Sequence, residues 1–189
     1  MSLEEEISKS VELLKKGKIL LYPTDTIWGI GCDATNSKAI QRIYKLKGRS
    51  ENKGMIVLLD SPNKLEKYLK IVPPIAYDLI QNSRSPLTIV YPDARNLAKD
   101  IIAKDGTIAI RIVKGEYCSE VMQRLGKPIV STSANFSDQP TARTFDQIDD
   151  GIMSGVDHVV SVFRDRVRSV KASTIIKIES DGHFLILRD

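Results

Sequence analysis

Four stretches of this sequence gather the side chains with which a protein handles a small anionic molecule. Tyr22 to Gly31 reads YPTDTIWGIG and brings two threonine hydroxyls, a carboxylate and an indole into a loop whose glycines permit close backbone approach. KLKGR, Lys45 to Arg49, ends a helical pattern with ammonium and guanidinium groups, a place the helix dipole also favours for cations. SPLT, Ser85 to Thr88, precedes an apolar run, and IAIRI sets Arg111 between Ile110 and Ile112. A guanidinium buried there is costly unless it meets an anion or points outward at an edge. STSAN, Ser131 to Asn135, supplies hydroxyls, an amide and backbone N–H groups of the kind that hold phosphate or carboxylate. Each stretch also has a plain structural reading as turn, cap, edge or serine-rich loop. A ligand site needs them to converge at the ends of sheet strands.

Charge stabilisation is the chemistry such a set supports, without a covalent nucleophile. The two histidines, His158 and His183, both fall inside apolar runs, which argues against a histidine triad or a metal cluster. Cys32 and Cys118 lack CxxC or Cys/His spacing and read as buried thiols. No GxxxxGK[ST], HExxH or GxSxG signature occurs, and no GxGxxG opens a helix.

The elements that must position these residues alternate. Ser2 and Glu5 have capping-box spacing, and Leu3, Ile7, Val11 and Leu14 recur at helical intervals until Gly17. Asn36 or Ser37 caps a second helix that turns Ala39, Ile40, Ile43 and Tyr44 inward and stops near Gly48. Eight apolar runs read as strands: residues 18–22, 55–59, 87–91, 107–112, 128–131, 157–162, 173–178 and 183–188. Helical patterns fall between them at 63–69, 75–81, 116–125 and 144–153, which predicts an α/β domain. Asp181-Gly182 marks a hairpin between the last two strands, so the sheet is expected to be mixed.

With 189 residues, 42% hydrophobic and 28% charged, the chain fits one globular domain over residues 1–189 and excludes collagenous, coiled-coil and disordered classes. No run approaches the ~20 apolar residues of a membrane span, and the first 18 residues do not read as a signal peptide. A cytoplasmic protein is expected. The net charge of +4 is modest, but it is concentrated. Lys38, Arg42, Lys45, Lys47, Arg49 and Lys53 stand against Glu51 alone, and Arg164, Arg166, Arg168 and Lys171 against Asp165. Such runs are usually solvated faces, and a phosphate-bearing partner suits them equally.

Taken in order, YPTDTIWGIG, KLKGR with the following KGMIVLL, SPLT, IAIRI, KPIVSTSANFSDQPT and STII followed by LILR resemble the YrdC-like family of threonylcarbamoyl-AMP synthases, from about Val11 to Arg188. The resemblance implies a twisted open mixed sheet of about seven to eight strands, with flanking helices and a concave basic cavity. It implies an enzyme that condenses L-threonine, bicarbonate and ATP, accompanied by Mg2+, into threonylcarbamoyl-AMP and pyrophosphate. A separate transferase protein would then carry the threonylcarbamoyl group to tRNA. By position, Lys47 and Arg49 match the family's KxR motif and would act as catalytic and nucleotide-binding residues. Thr24, Arg111 and Ser173 match contacts to threonine and bicarbonate. Ser131, Ser133, Asn135 and Arg188 match nucleotide contacts, with the backbone of Val130 and Thr132 beside them.

Several positions depart from the family pattern. Leu58 stands where many members have histidine, the family's PGPLT is reduced to Arg84, Ser85, Pro86, Leu87 and Thr88 with its first two residues changed, Val113 replaces a proline and Trp28 a tyrosine. The chain stops at Asp189, so the extra C-terminal domain of longer members, with its linker, is expected to be missing. Two other readings stand beside the synthase: a basic module of the same fold that grips RNA through its phosphates, and a paralogue without synthase activity. Phosphate tracking does not require Thr24, Ser131, Ser133 and Asn135 together.

Overall fold

The structure is a computed structural model that describes residues 1–48, 54–165, 172–179 and 183–189. Helix α1 (Leu3–Lys15) starts as expected from Ser2. Its hydroxyl accepts from the Glu5 N–H at 3.2 Å, and its own N–H donates to Glu5 Oε2 at 2.8 Å. The strands are β1 (Leu20–Pro23), β2 (Trp28–Gly31), β3 (Ile56–Leu59), β4 (Leu87–Tyr91), β5 (Ile108–Ile112), β6 (Ile129–Ser133), β7 (His158–Val159), β8 (Thr174–Ile178) and β9 (Phe184–Arg188). They form one mixed sheet in the order β7-β1-β2-β6-β3-β5-β4-β8-β9. The pairs β1/β7, β3/β5 and β4/β8 are parallel and the other five antiparallel.

The remaining helices are α2 (Ser37–Lys47), α3 (Leu65–Tyr68), α4 (Pro74–Asn82), α5 (Glu116–Leu125) and α6 (Asp150–Gly155). Asn36 caps α2 by accepting from the Ala39 N–H at 3.1 Å, and Gly48 ends it in the left-handed region at φ 59°. Helix α1 packs on α5, where the Ser10 and Tyr117 hydroxyls meet at 2.7 Å. Buried apolar residues of β1, β3, β5 and β6 fill the core together with the inner faces of α1, α2 and α5.

Three expectations are corrected. WGIG, read as loop, is strand β2, which brings the count to nine among the described residues. Its glycines are needed there, since a Cβ at Gly31 would lie 2.0 Å from the Val130 carbonyl oxygen. The strand expected over 157–162 shrinks to two residues, because β7 pairs only with Leu20 and Leu21 before the chain turns. The helix expected over 144–153 is broken into a short 3-10 turn, Phe145–Gln147, and α6, which Asp149 caps by accepting from the Gly151 N–H at 2.7 Å. The Asp181-Gly182 turn lies outside the described residues, but β8 and β9 pair antiparallel as that hairpin requires.

Candidate active site

One register row crosses five strands. Leu58 on β3 stands beside Arg111 on β5, then Thr88 on β4, Ile175 on β8 and Arg188 on β9. Residues in such a row share a sheet face. Two residues apart on β6, Ser131 and Ser133 likewise share a face, opposite Ile56 and Gly29 respectively. These rows border a cavity of about 240 Å3 lined by Thr24, Thr26, Trp28, Gly29, Ile56, Arg111, Ser131, Thr132, Ser133, Thr141, Ser173, Ile175 and Arg188, among others. Six of the nine expected site residues line it: Thr24, Arg111, Ser131, Ser133, Ser173 and Arg188.

Arg111 is 4% exposed. Its guanidinium pairs with Asp25 through Nη2 and Oδ1 at 3.2 Å, yet it makes no hydrogen bond with the described residues, and the buried Nε has no partner. Arg188 reaches the same cavity from the C-terminal strand. Its Nε and Nη2 donate to the Ser173 carbonyl at 3.1 and 2.7 Å, and the Ser173 hydroxyl meets Thr88 Oγ1 at 2.7 Å. Burial, and then the positive charge of Arg111, lower the Arg188 pKa from its ordinary value. Two guanidinium groups face each other's field here, an arrangement that an anion between them would relieve.

The threonine loop is fixed by its own hydroxyls. Thr24 Oγ1 donates to the Ile27 carbonyl at 2.7 Å, accepts from the Thr26 N–H at 3.0 Å and lies 2.9 Å from Thr26 Oγ1. Gly29 forms part of the cavity wall, where a Cβ would sit 2.8 Å from Ser131 Oγ.

Lys47 and Asn135 sit behind the lining. The Lys47 ammonium, on a residue 1% exposed, donates to the carbonyls of Ser133 and Asn135 and so ties the end of α2 to the segment after β6. Asn135 Nδ2 donates to the Phe136 and Gln139 carbonyls at 2.7 and 2.9 Å, while its buried Oδ1 is without a hydrogen bond. Arg49 lies outside the described residues, as do Lys53, Arg166, Arg168 and Lys171. Leu58 is wholly buried beside Arg111, so apolar packing fills the place of the family histidine. Both cysteines are buried, and burial pushes the Cys32 thiol pKa well up. His158 bonds the buried Glu6 carboxylate on α1 and does not line the cavity.

Sequence reasoning counted the Thr26 hydroxyl and the Asp25 carboxylate among the groups of the loop but gave them no site role, and it passed over Thr141. The signal for Asp25 was already present: a guanidinium inside an apolar strand requires an anion, and Asp25 is the carboxylate of the neighbouring loop. Among the described residues no three His, Cys, Asp or Glu side chains group as a metal cage, and no helix is long and apolar enough to cross a membrane.

Known proteins share this fold. The family model described as "Telomere recombination", covering Sua5, YciO and YrdC, matches residues 12–189. The threonylcarbamoyl-AMP synthase of Pseudoalteromonas translucida is 35% identical over 144 residues, 75% of this chain and 77% of the relative. P. abyssi Sua5, solved in complex with L-threonine, superposes at a TM-score of 0.87 with 24% identity, covering all of this chain, which spans 54% of that protein. E. coli YciO superposes at 0.85 with 21% identity, covering all of this chain and 90% of that one. A matched sheet and a family pattern that extends over nearly the whole sequence lead to one conclusion: the chain belongs to the Sua5/YciO/YrdC family.

Proposed function

We infer that the chain is a threonylcarbamoyl-AMP synthase, condensing L-threonine, bicarbonate and ATP into threonylcarbamoyl-AMP and pyrophosphate. The observation that carries this reading is Arg111, a buried guanidinium whose Nε is without a hydrogen bond and whose Nη2 pairs with Asp25, at a cavity walled by hydroxyls. A buried arginine in that state is a ready receptor for a carboxylate or phosphate.

In the reaction, the threonine amine adds to carbon dioxide drawn from bicarbonate, losing a proton to give an N-carboxylate. That carboxylate attacks the α-phosphorus of ATP, and pyrophosphate leaves. Both reactants are anions, so the protein must hold them in line and spread the charge of the phosphoryl transition state. Arg111 and Ser173, with Thr24 on the facing loop, take the amino acid and its carboxylates. Ser131, Ser133 and Arg188 face the nucleotide. Asn135 and Lys47 serve it through the loop after β6, whose carbonyls Lys47 draws together, and Arg49 is assigned to phosphate by its family position. Magnesium enters on the ATP phosphates as part of the substrate, with water completing its shell. The product is consumed by a separate transferase acting on tRNA.

The test is pyrophosphate release with each substrate omitted in turn. Release that requires threonine, bicarbonate and ATP together, without RNA, is the expected result. Tight RNA binding without threonine-dependent turnover would replace the synthase with the RNA-binding module.

A further inference from the structure

Asp25 is not explained by the turn that carries it. An aspartate in a loop ordinarily accepts a backbone N–H two residues on. Here the neighbouring hydroxyl does the work of a turn side chain, since Thr24 Oγ1 accepts from the Thr26 N–H. The contacts of Asp25 are different. Its Oδ2 takes the Lys114 N–H at 3.4 Å, and its Oδ1, buried and without a hydrogen bond, faces Arg111 Nη2 at 3.2 Å. The ion pair also marks a boundary between two spaces. Arg111 lines the main cavity, whereas Asp25 lines a smaller one, of about 190 Å3, with Arg84 and Lys114.

We propose that Asp25 is a positioning residue for Arg111, holding one corner of the guanidinium from behind so that its Nε edge meets the carboxylate of the bound amino acid. A carboxylate there does two things. It fixes a planar donor set that otherwise has no hydrogen bond to keep it in one rotamer. It also offsets part of the positive charge that Arg111 and Arg188 bring together, so the amino-acid end of the cavity holds a singly charged carboxylate without retaining the more highly charged pyrophosphate product. The inference rests on the synthase reading and assigns Asp25 to its amino-acid half.

The experiment is a double-mutant cycle of Asp25→Asn and Arg111→Gln, read as the threonine and ATP KM values, kcat and inhibition by inorganic pyrophosphate. Asp25→Asn is expected to raise the threonine KM about tenfold, leave the ATP KM within twofold and strengthen pyrophosphate inhibition severalfold. The double variant should be no worse for threonine than Arg111→Gln alone. Parallel changes in both KM values, or fully additive effects of the two substitutions, would overturn the proposal. Thermal unfolding of each variant identifies any that fail to fold, and in that case Asp25→Ser, read for the same split in KM, decides. Wild-type protein without threonine-dependent pyrophosphate release would remove the synthase reading itself, before any variant is compared.

Discussion

Arg111 and Lys47 are both buried cations drawn from family motifs, yet their surroundings differ in kind. Lys47 donates to two backbone carbonyls, those of Ser133 and Asn135, far away in sequence. Arg111 has one carboxylate nearby and no hydrogen bond among the described residues. A buried cation whose donors meet carbonyls ties backbone segments together. One whose donors stay open at a cavity wall is available to a ligand, and its burial makes the eventual contact stronger by excluding water.

The sharpest way to break this contrast is Arg111→Ala. We expect kcat/KM for threonine to fall by roughly 10³-fold, with a melting temperature changed by only a few degrees. Arg111→Lys should recover little, since a point charge does not reproduce a planar fork. A variant that instead unfolds while its residual folded fraction keeps full activity would place Arg111 with the scaffold. Lys47→Met is predicted to behave in the opposite way, losing about 3 kcal/mol in urea unfolding because the Ser133 and Asn135 carbonyls lose a buried charged donor. Its activity loss should be carried by the ATP KM, through the displaced segment after β6.

A third buried charge, Glu6 on α1, serves as a control remote from the cavity. Burial alone would push its carboxyl up, but the bonds from His158 and from the Ser161 hydroxyl and N–H outweigh burial and hold it below the ordinary value of 4.5. A depressed pKa contributes stability that is present above the unfolded value and lost as pH falls through the folded one. Wild-type stability should therefore drop as the pH is taken below about 4.5, whereas Glu6→Gln should start lower and show a shallower fall. Urea midpoints between pH 7 and pH 3 measure it, and kcat/KM at neutral pH should change little. The smallest effect is expected from Cys118→Ala, whose buried thiol donates to the Pro23 carbonyl at 3.3 Å. Turnover within a fewfold of wild type is the outcome that a mechanism without a thiolate requires, and a folded but inactive variant would contradict it.

Much of the frame was legible because local patterns and tertiary context agree. Helix α5 spans Glu116–Leu125 and strand β4 Leu87–Tyr91, as their periodicity predicts. Strand β2 was hidden because its two glycines carry a loop signal, and what turns them to strand use is the closeness of Val130 and Ser131, invisible along the chain. The site divides in the same way. Arg111 was legible as a charge out of place in an apolar run, and Ser131 and Ser133 as hydroxyls at a strand end. The carbonyl contacts of Lys47 were not, because those partners lie 86 and 88 positions away and are backbone atoms, which leave no trace in composition.

The strand order carries a consequence for the making of the protein. Strand β4 has β5 on one side and β8 on the other, so one flank of the strand is completed by residues more than 80 positions further along the chain. Ser173 and Arg188, which close the cavity beside Arg111, are synthesised 62 and 77 residues after it. At translation rates of ~5 to 20 residues per second, a chain with Arg111 already made waits several seconds for these two. During that interval β4 exposes an unpaired edge, which is a template for wrong pairing. Nascent chains are thus predicted to need protection of β4 until β8 emerges, and the cavity closes only once β8 and β9 have joined the sheet.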